Sequence, residues 1–290
     1  MVRAAQPDVA LCWGTVIGTP LETLVDAAGR AGIAAVTLTS GMYADARARG
    51  ASDSELRSRL AGQGVRVHAI DPLIGALPGT PRPEDVPPEN RCYFEFTEAD
   101  CYRAAHALGA ETINLAHFGG GAVSEAAFID CIGGIAARAQ REGVRLTLEF
   151  LPESAIPDLA TAQRIVVGVG ASNLGVMLDT WHFARTGGTV EALGALSRGV
   201  ISALQISDRR EPPPGTKYTP MFGRLLPGEG ELPLVAILRL LLERDRTLTV
   251  GVEVFSEELQ ELPPDEVARR VARATGRVLA QATASRGREA

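Results

Sequence analysis

Residues 112–150 read TINLAHFGGGAVSEAAFIDCIGGIAARAQREGVRLTLEF. Two short apolar runs, TINLAH (112–117) and RLTLEF (145–150), flank the amphipathic stretch EAAFIDCIGGIAARAQREG (125–143). Short apolar runs of this kind read as strands buried on both faces, and the stretch between them has the period of a helix. Gly143 sits where a helix C-cap belongs. Strand, helix and strand joined by short connections make a parallel pair.

Worked outward, the same cycle recurs eight times. The remaining strand candidates are VALCWG (9–14), AAVTLT (34–39), VRVHAI (65–70), GVMLD (175–179), SALQIS (202–207) and LTVGVEVF (248–255). Amphipathic helical stretches include LETLVDAAGRAG (21–32), SDSELRSRLAGQG (52–64), LPLVAILRLLLERD (232–245) and PDEVARRVARATGRVLAQA (264–282). Ser52 and Asp53 ahead of Glu55 read as an N-cap, and Gly32 and Gly64 as C-caps. Eight units in 290 residues predict an α/β chain forming a single (β/α)8 TIM barrel, residues 1–284, with a flexible tail at 285–290. A Rossmann-type sheet is the rival, but GTVIGTP after the first strand is a poor match to GxGxxG. Two connections are long, 71–96 after strand three and 208–230 after strand seven. Both are βα-loops and would lie at the catalytic face as lids or binding segments.

The bulk properties exclude several classes. A hydrophobic fraction of 46% and a mean hydropathy of +0.07 allow a large core. The net charge of −6 gives no basic surface to track phosphates or hold an anionic membrane, so neither nucleic acid nor membrane is an expected partner. The opening MVRAAQPDVALCWG lacks the features of a signal peptide, and no run of roughly 20 apolar residues exists. Cys12, Cys92, Cys101 and Cys131 show no CxxC pairing, which reads as reduced thiols in a cytoplasmic protein. Of 29 basic residues only Lys217 is a lysine, and its PPPGTKYTP loop is a poor setting for Schiff-base chemistry.

Glu149, Asp179, Gln205 and Glu253 all fall at or near the C-terminal ends of late strands. If each points into the barrel, so do Thr147, Met177, Ala203 and Gly251, while Leu148, Leu178, Leu204 and Val252 face the helices. Three carboxylates on one rim repel one another and raise each other's pKa unless a cation sits among them. The bland alternative is that each acid caps a helix or pairs with an arginine. Equivalent positions on four strands favour a divalent metal held by Glu149, Asp179, Gln205 and Glu253. Hard oxygen donors favour Mn²⁺ or Mg²⁺ over zinc, with Co²⁺ a substitute.

The ordered markers are LEF with Glu149, LDTWH with Asp179 and His182, QISD with Gln205 and Asp208, RLLPGEGELPL from Arg224, and GVEVF with Glu253. On these the chain resembles, over nearly its whole length, the xylose isomerase-like TIM barrel superfamily. That group includes tagatose 3-epimerase-like and inosose dehydratase-like enzymes. The resemblance implies metal ligation by the matching Glu149, Asp179 and Glu253, with the two glutamates as acid/base groups and His182 beside the substrate. The family's usual third ligand is a histidine where this chain has Gln205. Relatives commonly form homo-oligomers, dimers or tetramers.

Further substrate-binding candidates are Arg224 and Arg210 on the second long loop, with Arg209 beside them. His117 and His68, on strands four and three, are others, as is Trp13 at the mouth of strand one. His106, inside ADCYRAAHALG, reads as a packing or surface residue. The expected chemistry is proton abstraction next to a carbonyl of a sugar, keto-sugar or cyclitol through a metal-stabilised enediolate. The outcome is isomerisation or epimerisation; β-elimination by a lyase or dehydratase is the alternative. A non-catalytic barrel that binds a sugar or protein partner is the rival class. An endonuclease is disfavoured, because four histidines and an acidic balance do not make a zinc cluster and a DNA face.

Overall fold

The computed structural model describes residues 6–119, 121–211 and 223–284. Lys217, much of the second long loop and the 285–290 tail therefore lie outside the described residues. Eight parallel strands close into a barrel in sequence order: β1 (Val9–Leu11), β2 (Ala35–Leu38), β3 (Arg66–Leu73), β4 (Thr112–Ala116), β5 (Arg145–Glu149), β6 (Leu174–Asp179), β7 (Ile201–Ile206) and β8 (Val250–Val252). β8 pairs with β1 through Ala10 and Gly251, so the sheet has no free edge.

The described helices are α1 (Leu21–Arg30), α2 (Ser40–Ala48), α3 (Asp53–Gln63), α4 (Glu98–Leu108), α5 (Glu125–Arg141), α6 (Leu159–Val169), α7 (Thr180–Arg185), α8 (Val190–Gly194), α9 (Leu234–Arg244), α10 (Glu257–Gln260) and α11 (Pro264–Thr283). Ser52 and Glu55 form a reciprocal capping box on α3, which Gly64 ends in the left-handed conformation. Thr39, read from sequence as the end of strand two, instead caps α2 by accepting from Met42 N. α2 itself has no strong apolar stripe and was invisible to periodicity.

The inward/outward alternation holds. Leu148, Leu178, Leu204 and Val252 are buried in the large core between barrel and helices. Burying each such side chain contributes about 1.5–3 kcal/mol. On the other face Thr147 Oγ1 donates to Asn114 Oδ1 inside the barrel, at 2.8 Å. Gly251 also faces inward: a Cβ there would lie 3.1 Å from Cys12 Sγ and 3.3 Å from Gln205 Cγ.

Three strands depart from the sequence reading by more than one residue at an end. β1 and β8 stop at Leu11 and Val252, so Trp13 lies in a 3₁₀ turn (Trp13–Val16) and Glu253 one residue beyond β8. β3 runs on to Leu73, past the expected end at Ile70, through a register shift against β4. The first long loop follows, carrying 3₁₀ turns at Pro83–Asp85 and Pro88–Tyr93.

Candidate metal and acid/base centre

Glu149 and Asp179 are the last residues of β5 and β6, Gln205 lies in β7, and Glu253 follows β8. All four are buried at the C-terminal mouth of the barrel. The structure adds a fourth carboxylate that the sequence reading missed. Asp71, in the extended end of β3, is 3% exposed. Its Oδ1 accepts from Asn114 Nδ2 and its Oδ2 from Gln205 Nε2, both at 2.8 Å. Asn114 Nδ2 also donates to Glu149 Oε2 at 2.8 Å, so one amide ties two acids together.

The positive charge comes from Arg224, 1% exposed, which enters from the connection between β7 and α9. Its Nη1 lies 2.6 Å from Asp179 Oδ2, 3.3 Å from the Glu253 carbonyl and 3.8 Å from Glu253 Oε2. Its guanidinium stacks over the Phe255 and Trp181 rings, 5.0 and 5.6 Å from their centroids. Asp208 explains why this arginine returns to the barrel. Its carboxylate accepts from Gly228 N at 3.0 Å and Leu232 N at 2.9 Å, and its backbone bridges to Leu225. A Cβ at Gly230 would lie 2.1 Å from the Arg209 carbonyl, so that turn requires glycine.

Asp179 also caps α7, accepting from Trp181 N at 2.6 Å and His182 N at 3.2 Å. For this acid the bland alternatives, a helix cap and an arginine partner, are both realised. Glu253 shares the same arginine only at 3.8 Å, and Glu149 is tied by the Asn114 amide instead. Burial pushes Glu149 and Glu253 well above the usual carboxylate range, and the charge of Asp71 adds to it. Burial lifts Asp71 to about 6 against the pull of its two amide donors. Burial acts upward on Asp179 as well, but Arg224 and the His182 amide override it and hold this acid low. Burial lowers His182 to about 4, so its ring is neutral at pH 7. Among the described residues, four buried carboxylates therefore share the barrel mouth with one guanidinium, which pairs with Asp179 and Glu253, and a divalent cation would supply the missing positive charge.

The donor set fits such an ion. One oxygen each of Glu149 and Asp179 and one nitrogen of His182 lie within 4.8 Å of one another. Gln205 turns its amide nitrogen to Asp71, which can only accept while ionised, leaving its buried Oε1 with no partner. Arg224 Nη2 lies 3.4 Å from His182 Nε2, which assigns the lone pair to that nitrogen. His182 thus joins the candidate ligands beyond the sequence-derived four.

A cavity of about 580 Å³ opens above these groups, with Asp71, Glu149, His182 and Glu253 at its floor and Trp13 on its wall. Gly14 makes room for the glutamate: a Cβ there would lie 2.9 Å from Glu253 Oε1 and 2.4 Å from Phe255 Cζ. Three predicted substrate contacts are placed elsewhere. His117 is fully buried, accepts from Ala155 N through Nδ1 and packs edge-on against Phe128, because β4 ends at Ala116 and the chain turns it under the loops. His68 lies near the start of β3, at the opposite mouth of the barrel beside Arg66 and Thr249. Arg210 is exposed, past the point where the β7 chain leaves the barrel. His106 is also exposed, with Nε2 3.0 Å from the Glu142 carbonyl.

Fold and site together define a (β/α)8 barrel with an acid-rich centre built on its C-terminal strand ends. The chain belongs to the xylose isomerase-like TIM barrel family, whose model matches residues 25–277. Inosose isomerase of Halalkalibacterium halodurans is 30% identical over 129 residues, 44% of this chain and 45% of that protein. The matches thus span about half the length of the curated relatives. Among solved structures, the IOLI protein with a bound zinc atom superposes with a TM-score of 0.81 at 20% identity, over 96% of this chain and 100% of that one. D-psicose 3-epimerase with D-tagatose from Clostridium cellulolyticum H10 gives a TM-score of 0.67 at 15% identity, covering 93% and 98%. These two likenesses bear on the fold. Among the described residues, no helix is long and apolar enough to cross a membrane.

Proposed function

We propose that the chain is a divalent-metal-dependent isomerase or epimerase of a sugar, keto-sugar or cyclitol, acting by proton transfer next to a carbonyl. The observation that carries this reading is the gathering of buried Asp71, Glu149, Asp179 and Glu253 at the barrel mouth, linked by Asn114, Gln205 and Arg224 beside a cavity. Glu149, Asp179, Glu253 and the Gln205 amide oxygen would hold the ion, with His182 as a further donor. When bound, the ion would polarise the substrate carbonyl and stabilise the negative charge that develops there.

The chain's own residues then divide the work. Glu149 and Glu253 both border the cavity, and each is poised to exchange a proton with a substrate carbon. One removes the proton and the other returns it, to the same carbon for epimerisation or to its neighbour for isomerisation. Asn114 fixes the Glu149 carboxylate by donating to its Oε2, and the other oxygen lies 3.7 Å from His182 Nε2. Arg224 keeps Asp179 ionised and holds it in place. His182, neutral and at the cavity floor, is placed to bond a substrate hydroxyl where it does not bind the ion.

The oxygen-rich donor set favours Mn²⁺ or Mg²⁺, with Co²⁺ as a substitute. The His182 nitrogen makes zinc the second candidate, in keeping with the zinc of the IOLI protein. Loss of a β-substituent after the same proton abstraction would give elimination instead, the second reading. Solvent-deuterium exchange over ketoses, inososes and keto-sugars with added Mn²⁺ tests the common step. Deuterium at carbon next to the carbonyl is expected, and its absence across all three groups would refute the reading.

A further inference from the structure

The cavity floor is ionic, but its walls are not. Above the acids they are built from Trp13, Tyr93, Phe94, Phe118 and Phe255, interleaved with Ile74, Leu151, Pro72, Pro81 and Pro87. Besides Trp13, whose indole nitrogen is buried, Asn90 and Tyr93 carry the wall's hydrogen-bonding side chains among the described residues. Ile74, Ala116 and Leu151 form an apolar cluster separate from the main core, with Tyr93, Phe94 and Phe118 packed on it. Trp13, Tyr93, Phe94 and Phe118 are only half-buried, so this wall presents open aromatic surface. The Trp13 ring lies 5.3 Å from Tyr93 and stands edge-on to Phe255 at 5.8 Å.

A bare polyol fits this enclosure poorly. Hydroxyls pressed against proline and phenylalanine lose water and gain no partner, at a cost of about 1–3 kcal/mol each. The volume of about 580 Å³ lies in the range that holds drug-sized ligands, more room than a single sugar ring fills. Flat proline faces and aromatic rings accept a planar group best. Resting on the function proposed above, we infer that the substrate is a sugar or cyclitol bearing an aryl substituent. The polyol head sits on the Asp71, Glu149, His182 and Glu253 floor, and the aryl group lies against Trp13, Phe94 and Phe118.

Binding tests this without depending on turnover. Titration calorimetry of the full chain, in Mn²⁺ buffer, compares phenyl β-D-glucopyranoside with methyl β-D-glucopyranoside, which share one polyol head. The phenyl glycoside is expected to bind on the order of tenfold to a hundredfold tighter. Trp13→Ala and Phe118→Ala should each remove most of that preference, read as the ratio of the two affinities within the same variant. Equal affinities, no detectable binding of the phenyl glycoside, or a preference unchanged in both variants would overturn the inference. Glu149→Gln separates it from the reaction: this variant should lose deuterium exchange yet keep the aryl preference. Absent exchange in the wild type with the preference intact would sink the proposed reaction alone.

Discussion

Replacing Arg224 by methionine removes the guanidinium among the four acids and keeps an apolar side chain against Phe255. At an effective dielectric constant of 20, the 2.6 Å approach to Asp179 is an attraction of roughly 6 kcal/mol before desolvation. Breaking a buried pair by deleting one partner typically costs 3–5 kcal/mol, since the remaining charge stays buried. An acid that cannot stay ionised takes up a proton, which limits the loss to about 4 kcal/mol near pH 7. In a chain of this size that lowers Tm on the order of 6–10 °C. Carboxylates with folded pKa values above their unfolded ones destabilise the fold as pH rises through that interval. The deficit of Arg224→Met in metal-free buffer is therefore larger at pH 8 than at pH 5, and Mn²⁺ should narrow it at pH 8. Thermal melts at both pH values, with and without the ion, measure this. A deficit that is absent, or greater at pH 5, would refute the charge account of the site.

Three other substitutions examine separate parts of the structure. Gln205→His should preserve or tighten Mn²⁺ affinity if position 205 supplies a ligand; an unchanged affinity by calorimetry counts against ligation there. His68 is held neutral, its pKa lowered to about 4 first by burial and then by Arg66. Its contribution is present above the unfolded value of 6.5 and is lost as pH falls toward 4, so His68→Gln should gain about 2 kcal/mol over wild type between pH 7 and pH 5. Parallel urea-melt losses in both proteins would remove His68 from the acid response. Asp208→Ala leaves the amides of Gly228 and Leu232 unpaired and should cost about 2–3 kcal/mol. Turnover should fall with it as Arg224 loses its placement, and full activity would show that the loop needs no such anchor.

Strand position and alternation located Glu149, Asp179, Gln205 and Glu253 because a side chain at the end of a parallel strand has one of two directions, set by parity. Asp71 obeys the same rule but was missed. The bulge between β3 and β4 and the proline that follows made VRVHAI look complete at Ile70, three residues before the strand ends. Asn114 sat in plain view inside TINLAH, yet its role depends on a cross-strand neighbour, Thr147, and on Asp71, neither adjacent in sequence. The histidines were harder, since His117 follows the last strand residue and its direction is decided by loops packed over it. His68 does lie on a barrel strand, but at the wrong end for the site, a matter of depth that alternation cannot report. Arg224 stood out only as the start of RLLPGEG; its burial against Asp179 follows from Asp208 and Gly230 folding the loop back.

The claim that the barrel mouth is a metal centre is met most directly by titrating metal-free protein with Mn²⁺, followed by electron paramagnetic resonance, beside Asp179→Asn and Glu253→Gln. The account predicts one bound ion per chain in the wild type and an affinity reduced at least tenfold in both variants. Saturation absent from the wild type, or equal in all three proteins, would contradict it.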